Sequence, residues 1–364
     1  MKNIIKTIAV LVSASLISVV AKAGELSVTG SAKASYVING GQQNTGKGLG
    51  ISNELMFSAS GELDNGYTWN YHTELDMADG GAASNDDTAL VIGLGDLGKF
   101  GIYDAEGGLS TELGYGIGAM GVGSDYANTM TNNNTGLDVS ADPHVAYYTP
   151  AGLLPFGIEA AVGYSPSTED GQGNSYKNNG AGANTQDAGG TDATQYKVTA
   201  APIDGLKIGA DYYQAGGNTS ASPLQELTGG NMYAQYAMGN FKFGIMQGYK
   251  ENATTNKYAT ASADTATVSS GDRYNFDAYG IEFAINDNLS ISYSEEKNER
   301  LDYTLALETT TKADNAVKAE QETIMAAYNI GGATLGVSLV DTKNSDYVAD
   351  KKENKTVFSL AMEF

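Results

Sequence analysis

The sequence predicts an all-β fold, a 16-stranded antiparallel transmembrane β-barrel with short turns at one end and long loops at the other. Three observations carry this. Segments of about ten residues alternate strictly between apolar and polar side chains. The connections between them alternate between short and long, and the last segment runs in the same alternation to an aromatic C-terminus, Phe364.

The N-terminus reads as an export signal. Lys2 and Lys6 precede an apolar run from Ile8 to Val20, which ends in the small-residue motif Ala21-Lys22-Ala23. The expected division is a cleaved signal peptide at 1–23 and a barrel at 24–364. Ser13, Ser15 and Ser18 interrupt the run, which is also short of the roughly 20 apolar residues of a membrane-spanning helix. No later stretch is apolar enough for such a helix, so the remainder is either soluble or spans a membrane as a closed barrel.

Composition narrows the chemistry. With 0 Cys, disulfides, thiolate metal sites and cysteine nucleophiles are excluded. A net charge of −22, with Arg only at positions 273 and 300, argues against a nucleic-acid partner and favours cations if a pore exists. His72 and His144 are the only histidines, and His72 stands among lumen residues at strand spacing, so no catalytic residue is expected. No cofactor or metal site is expected either. Acidic residues such as Asp86 and Asp87, in the loop before the fourth strand, could hold a divalent cation, but they form no spaced ligand motif.

In chain order the predicted strands are 25–38, 49–63, 67–77, 88–95, 99–104, 143–149, 156–165, 194–201, 206–214, 230–238, 241–249, 274–285, 289–296, 321–330, 333–341 and 355–364. The third shows the pattern best. Tyr67, Trp69, Tyr71, Thr73, Leu75 and Met77 occupy one parity, and Thr68, Asn70, His72, Glu74 and Asp76 the other. In a strand these sets face opposite sides, one suited to lipid and one to water. Turn chemistry joins successive pairs at Asp64-Asn65-Gly66, Gly95-Asp96-Leu97-Gly98, Ile203-Asp204-Gly205, Gly239-Asn240, Asn286-Asp287-Asn288 and Gly331-Gly332. Between them lie long polar stretches, Pro166–Ala193, Lys250–Arg273 and Lys297–Glu320, expected as external loops.

Charge placement follows the same rule, because Lys or Arg on the lipid face costs about 2–4 kcal/mol at mid-bilayer. Lys33, Glu54, Glu159, Lys197, Lys207, Asp211, Lys242 and Glu282 all fall opposite the apolar set of their own strand, which makes them candidate lumen residues together with His72, Glu74 and Asp76. Asn53 and Gln247 fall on the lipid parity, but both are uncharged. Tyr36, Tyr67, Tyr103, Tyr164, Tyr249 and Tyr293, near strand ends, are expected in interfacial girdles. A soluble β-sandwich would alternate in the same way. These aromatics and the alternation of Phe358, Leu360, Met362 and Phe364 speak against it.

On three of its segments the chain resembles the Gram-negative general porins, over nearly all of the mature sequence. The terminal Phe364 with its apolar partners Phe358, Leu360 and Met362 is similar to that family's barrel-assembly signal. Val145–Gly152 is similar to the family's strand that ends in an aromatic, a hydroxyl residue and Pro. Ala89–Tyr103 is similar to its paired short strands around a Gly-rich turn. The resemblance implies a homotrimer in outer-membrane lipid, inserted by the barrel-assembly machinery and passing small hydrophilic solutes and ions. It also implies that the third loop, here 104–142, folds into the lumen. That loop carries Glu106, Glu112 and Asp125, with glycines at 114, 116, 118, 121 and 123 that permit close packing on the wall. Of the family's cluster of Arg and Lys on the opposite wall, Lys33 matches the basic position of the first strand, but Glu54 stands on the second and no predicted strand contains Arg. Cation preference is therefore expected. A structural or adhesive protein acting through acidic loops, and a substrate-selective uptake channel, remain the alternatives.

Two further motifs carry no weight. Gly93–Gly98 fits the dinucleotide glycine pattern, but a strand and not a helix follows it. Gly41–Lys47 has the glycines and lysine of a phosphate loop, but Gly48 stands where that loop needs Ser or Thr.

Overall fold

The computed structural model describes residues 26–42, 45–77, 83–118, 137–166, 192–216, 223–251, 254–255, 269–305, 310–312 and 318–364. The expected signal peptide at 1–23 lies outside them. Among the described residues no α-helix occurs, and no helix is long and apolar enough to cross a membrane. Sixteen strands form the wall: β1 (Leu26–Gly41), β2 (Gly46–Glu62), β3 (Thr68–Met77), β4 (Ala83–Gly93), β5 (Lys99–Asp104), β6 (His144–Tyr148), β7 (Glu159–Ser165), β8 (Ala193–Ala200), β9 (Leu206–Ala215), β10 (Leu227–Met238), β11 (Phe241–Glu251), β12 (Ser269–Asn286), β13 (Leu289–Leu305), β14 (Lys318–Ile330), β15 (Ala333–Lys343) and β16 (Lys352–Glu363).

Each strand pairs antiparallel with the next, and β16 pairs back to β1 from Ser31↔Glu363 to Gly41↔Glu353. Gly30 and Phe364 complete the closure, each donating its N–H to the other's carbonyl at 2.8 and 2.9 Å. Closure leaves none of the sixteen wall strands at an open sheet edge, the condition for crossing a bilayer with strands.

Register sorts the side chains into two faces. Across β1, β2 and β3 the outward rows include Val28 opposite Phe57, Ala34 opposite Ile51, and Leu55 opposite Leu75. The C-terminal row, Phe358, Leu360, Met362 and Phe364, faces outward and meets Tyr36, Ala34 and Ala32 of β1. No described residue covers these side chains: Ile51 is 65% exposed, Ile245 61% and Phe364 70%. Such a continuous apolar belt needs a nonaqueous neighbour, which lipid supplies.

All sixteen predicted strands are present, with three differences. β12 and β13 run for 18 and 17 residues, far beyond their predicted ends, so Arg273 and Arg300 do lie in strands. At about 3.3 Å per residue and a tilt near 40°, such strands rise roughly 43 Å, well beyond an apolar band of about 25 Å. Their upper parts lie beyond the apolar band, where no lipid contact enforces the alternation that marks a strand. By contrast β6 has only 5 residues. Second, β4 begins at Ala83, which puts Asp86 and Asp87 in a strand and not in a loop.

Third, not every strand charge points inward. Asp277 and Glu295 stand on the outer parity, as do Lys297 and Glu322. They are tolerated because they sit at or above a row of outward tyrosines and are paired: Gln247 donates to Asp277 at 2.7 Å, Tyr279 and Lys297 (2.8 Å) bind Glu295, and Lys343 binds Glu322 at 3.0 Å.

Candidate functional site

The interior is built by the inward parity of the wall and by the connection that leaves β5. Residues 104–118 run against the inner faces of β8–β13, and Asp211, Glu296, Asp138 and Gln195 hold the connection in place. Asp211 of β9, 8% exposed, accepts from the Thr111 N–H at 2.7 Å, the Thr111 hydroxyl at 2.6 Å and the Asn231 amide at 3.2 Å on one oxygen. Its other oxygen accepts from the Gln195 amide at 3.3 Å. The Tyr115 hydroxyl donates to Glu296 of β13 at 2.6 Å. Asp138, at the far end of the connection, accepts from the backbone N–H groups of Leu109 and Ser110 at 3.0 and 2.6 Å. Gln195 clamps that end too, accepting from the Val139 N–H at 2.9 Å and donating to the Leu137 carbonyl at 3.0 Å.

Packing follows the same line. Leu109 and Val139 are buried against Ala193, Tyr213 and Ala215, while Tyr115 and Ile117 are buried against Met246, Phe276 and Ala278. Close approach here requires glycine. A Cβ on Gly244 of β11 would collide with the Tyr115 carbonyl, and one on Gly116, which has φ +63°, would collide with the Gln235 amide.

Every predicted site residue except Asp125 falls among the described residues. Ser31, facing the interior beside Lys33, donates to Glu54 at 3.2 Å. Glu54 lies opposite Asp76 in the ladder, and Glu74 opposite Met56. Carboxylate oxygens of Glu54, Glu74 and Asp76 come within 4.8 Å of one another, the only such acidic group among the described residues able to share a cation. His72 lies one inward position below Glu74 and bonds through Nε2 to Glu106 of the connection.

Farther round the wall, Glu159, Lys197 and Lys207 occupy the inward rows of β7, β8 and β9, where Lys197 is opposite Asp211. Lys242 pairs with Glu282 at 2.9 Å, and the Gly118 N–H points to the same carboxylate at 3.4 Å. Glu112 is half-buried on the connection. Burial pushes its carboxyl up to about 7, helped by the negative charges of Glu296, Asp211 and Asp138 and opposed by Lys250. Asp125 lies outside the described residues. Tyr103 is not a girdle residue: it points inward, buried and stacked on His144 at 5.1 Å.

Sequence reasoning missed Glu296 and Tyr115, and saw Asp211 only as a lumen residue. The inward row Ser290, Ser292, Ser294, Glu296, Asn298 is polar at every position, a signal already present in the predicted strand 289–296.

Charged and hydroxyl groups are spread over the inward rows of many strands and over the connection. The sequence model of the Gram-negative porins matches residues 7–290. No curated protein matches the chain. Among solved structures, the anion-selective porin from Comamonas acidovorans is similar at a TM-score of 0.64 and 15% identity, covering 94% of this chain and 100% of that one. In-vitro folded OmpT of Vibrio cholerae gives 0.61 and 12%, covering 94% and 98%. OmpF of Salmonella typhi, solved with daunomycin, gives 0.55 and 11%, covering 94% and 97%. These likenesses are of fold. With a family match over most of its length and a closed barrel of sixteen strands, the chain belongs to the Gram-negative porins, the diffusion channels of the outer membrane.

Proposed function

We propose that the protein is a general diffusion pore for small hydrophilic solutes and ions, preferring cations, in which the connection after β5 sets the size limit. Sixteen strands leave a lumen wide enough for water. The observation that carries the reading is the fastening of residues 104–118 to the inner wall, since a segment held there takes up part of the cross-section. On the opposite side Glu54, Glu74 and Asp76 gather negative charge, and Glu106 brings more from the connection. In a narrow aqueous passage with low-dielectric walls such carboxylates raise the local concentration of cations and exclude anions.

Asp125 is expected to add to this charge, and Phe358, Leu360, Met362 and Phe364 to present the signal read by the barrel-assembly machinery. Export through a cleaved segment at 1–23 belongs to the same reading. So does a homotrimer, for which a trimer form of OmpT of Vibrio cholerae, 12% identical, provides the precedent. The test is reconstitution into liposomes: sugars should permeate at rates that fall steeply with size, whereas no permeation of any sugar would turn the reading toward a structural or adhesive protein.

A further inference from the structure

At the end of the barrel that carries the short turns, a cavity of about 760 Å³ opens beneath the fastened connection. Its lining is unlike the acidic patch higher up. Lys99 and Lys197 enter it from β5 and β8, and Asp96 and Glu159 from the β4–β5 turn and β7. Lys99 is held over the Tyr148 ring, 4.4 Å from its centroid, and Tyr233 supplies a second aromatic face. None of these four charged side chains forms an ion pair with a described residue, although Lys242 and Glu282 nearby do. Two cations and two anions thus stand around one space with their charges unspent on each other.

We infer that this cavity is a binding subsite for amphoteric solutes, molecules that carry a carboxylate and an ammonium group, such as amino acids and short peptides. The carboxylate would meet Lys99 and Lys197, the ammonium would meet Glu159 and Asp96, and apolar side chains would lie on the tyrosine faces. A solute without net charge also escapes the repulsion that the acidic interior above imposes on a simple anion. Charge-assisted hydrogen bonds of both signs would hold it longer than either a neutral sugar or an inorganic ion. The inference rests on the lumen being open to solutes.

Ligand-observed saturation-transfer NMR on the folded protein in detergent tests it, with alanylalanine as the probe and its N-acetylated, C-amidated form as the uncharged control. Saturable binding of alanylalanine is expected, at least tenfold weaker for the control and for K99Q/K197Q. Circular dichroism of the variant should match that of the wild type. Equal signals from probe and control, or an unchanged affinity in a folded K99Q/K197Q, would overturn the subsite. Binding in a protein that does not conduct would sink the pore and leave the subsite standing; conduction without saturable binding would do the reverse.

Discussion

Replacing Asp211 by Ala tests how the inner connection is held. The carboxylate is buried, and both its oxygens are used by Thr111, Asn231 and Gln195. Truncation leaves the Thr111 N–H without its acceptor and takes one acceptor each from the Asn231 and Gln195 amides, and each buried donor left unsatisfied costs about 1–3 kcal/mol. Water entering the lumen side would recover part of this, so a net loss of roughly 3–6 kcal/mol from the fastened state is expected. Outright unfolding is not, because the barrel ladder does not depend on this side chain. Asp211→Asn keeps one acceptor oxygen and should fall between. The assay is single-channel recording in a planar bilayer together with sugar permeation into liposomes. Asp211→Ala should show larger conductance, greater open-channel noise and a relaxed size limit. Currents and size limit identical to the wild type would refute the idea that this contact holds the connection in the passage.

Further expectations concern other links. Tyr115→Phe deprives buried Glu296 of its 2.6 Å donor, costing about 1–3 kcal/mol locally, and should raise the noise less than Asp211→Ala does. Glu112 should titrate near neutrality, since its carboxyl is pushed up to about 7. Its folded value is raised above the unfolded one, so its contribution to holding the connection is present below the ordinary carboxylate range and is lost as pH rises through about 7. Current noise should therefore grow from pH 5 to pH 8, and Glu112→Gln should flatten that dependence. Ile245→Lys places a charge in the middle of the outward belt and should cost about 2–4 kcal/mol, read as a lower urea midpoint in lipid. Deleting Phe364 removes the last two hydrogen bonds of the β16–β1 closure and an exposed ring of the outer belt, and should lower the yield of heat-resistant folded protein more than it alters its conductance.

The wall was legible in the sequence wherever one face meets lipid and the other water, because that contrast writes the alternation. β3 shows it over its whole length, and the common face of Phe358, Leu360 and Met362 could be read from parity alone. Legibility failed where the contrast fails. Above the tyrosine row β12 and β13 continue where lipid no longer enforces the contrast, so the predicted strands stopped at 274 and 296. Tyr103 was misplaced because an aromatic near a strand end looks the same whether it faces lipid or packs inward on His144. The fastening contacts were invisible for another reason. Thr111 meets Asp211 across 100 residues, and Tyr115 meets Glu296 across 181, so no local pattern links them. The glycines at 114 and 116 announced a close approach but not the strand approached.

The central claim is an open, cation-preferring pore. Its most direct test is the reversal potential of single channels under a tenfold potassium chloride gradient. The account predicts stepwise ohmic currents whose reversal potential lies toward that of potassium, shifting toward zero when Glu54, Glu74 and Asp76 are replaced by their amides. A reversal potential on the chloride side, or a stably inserted barrel that passes no current, would contradict it.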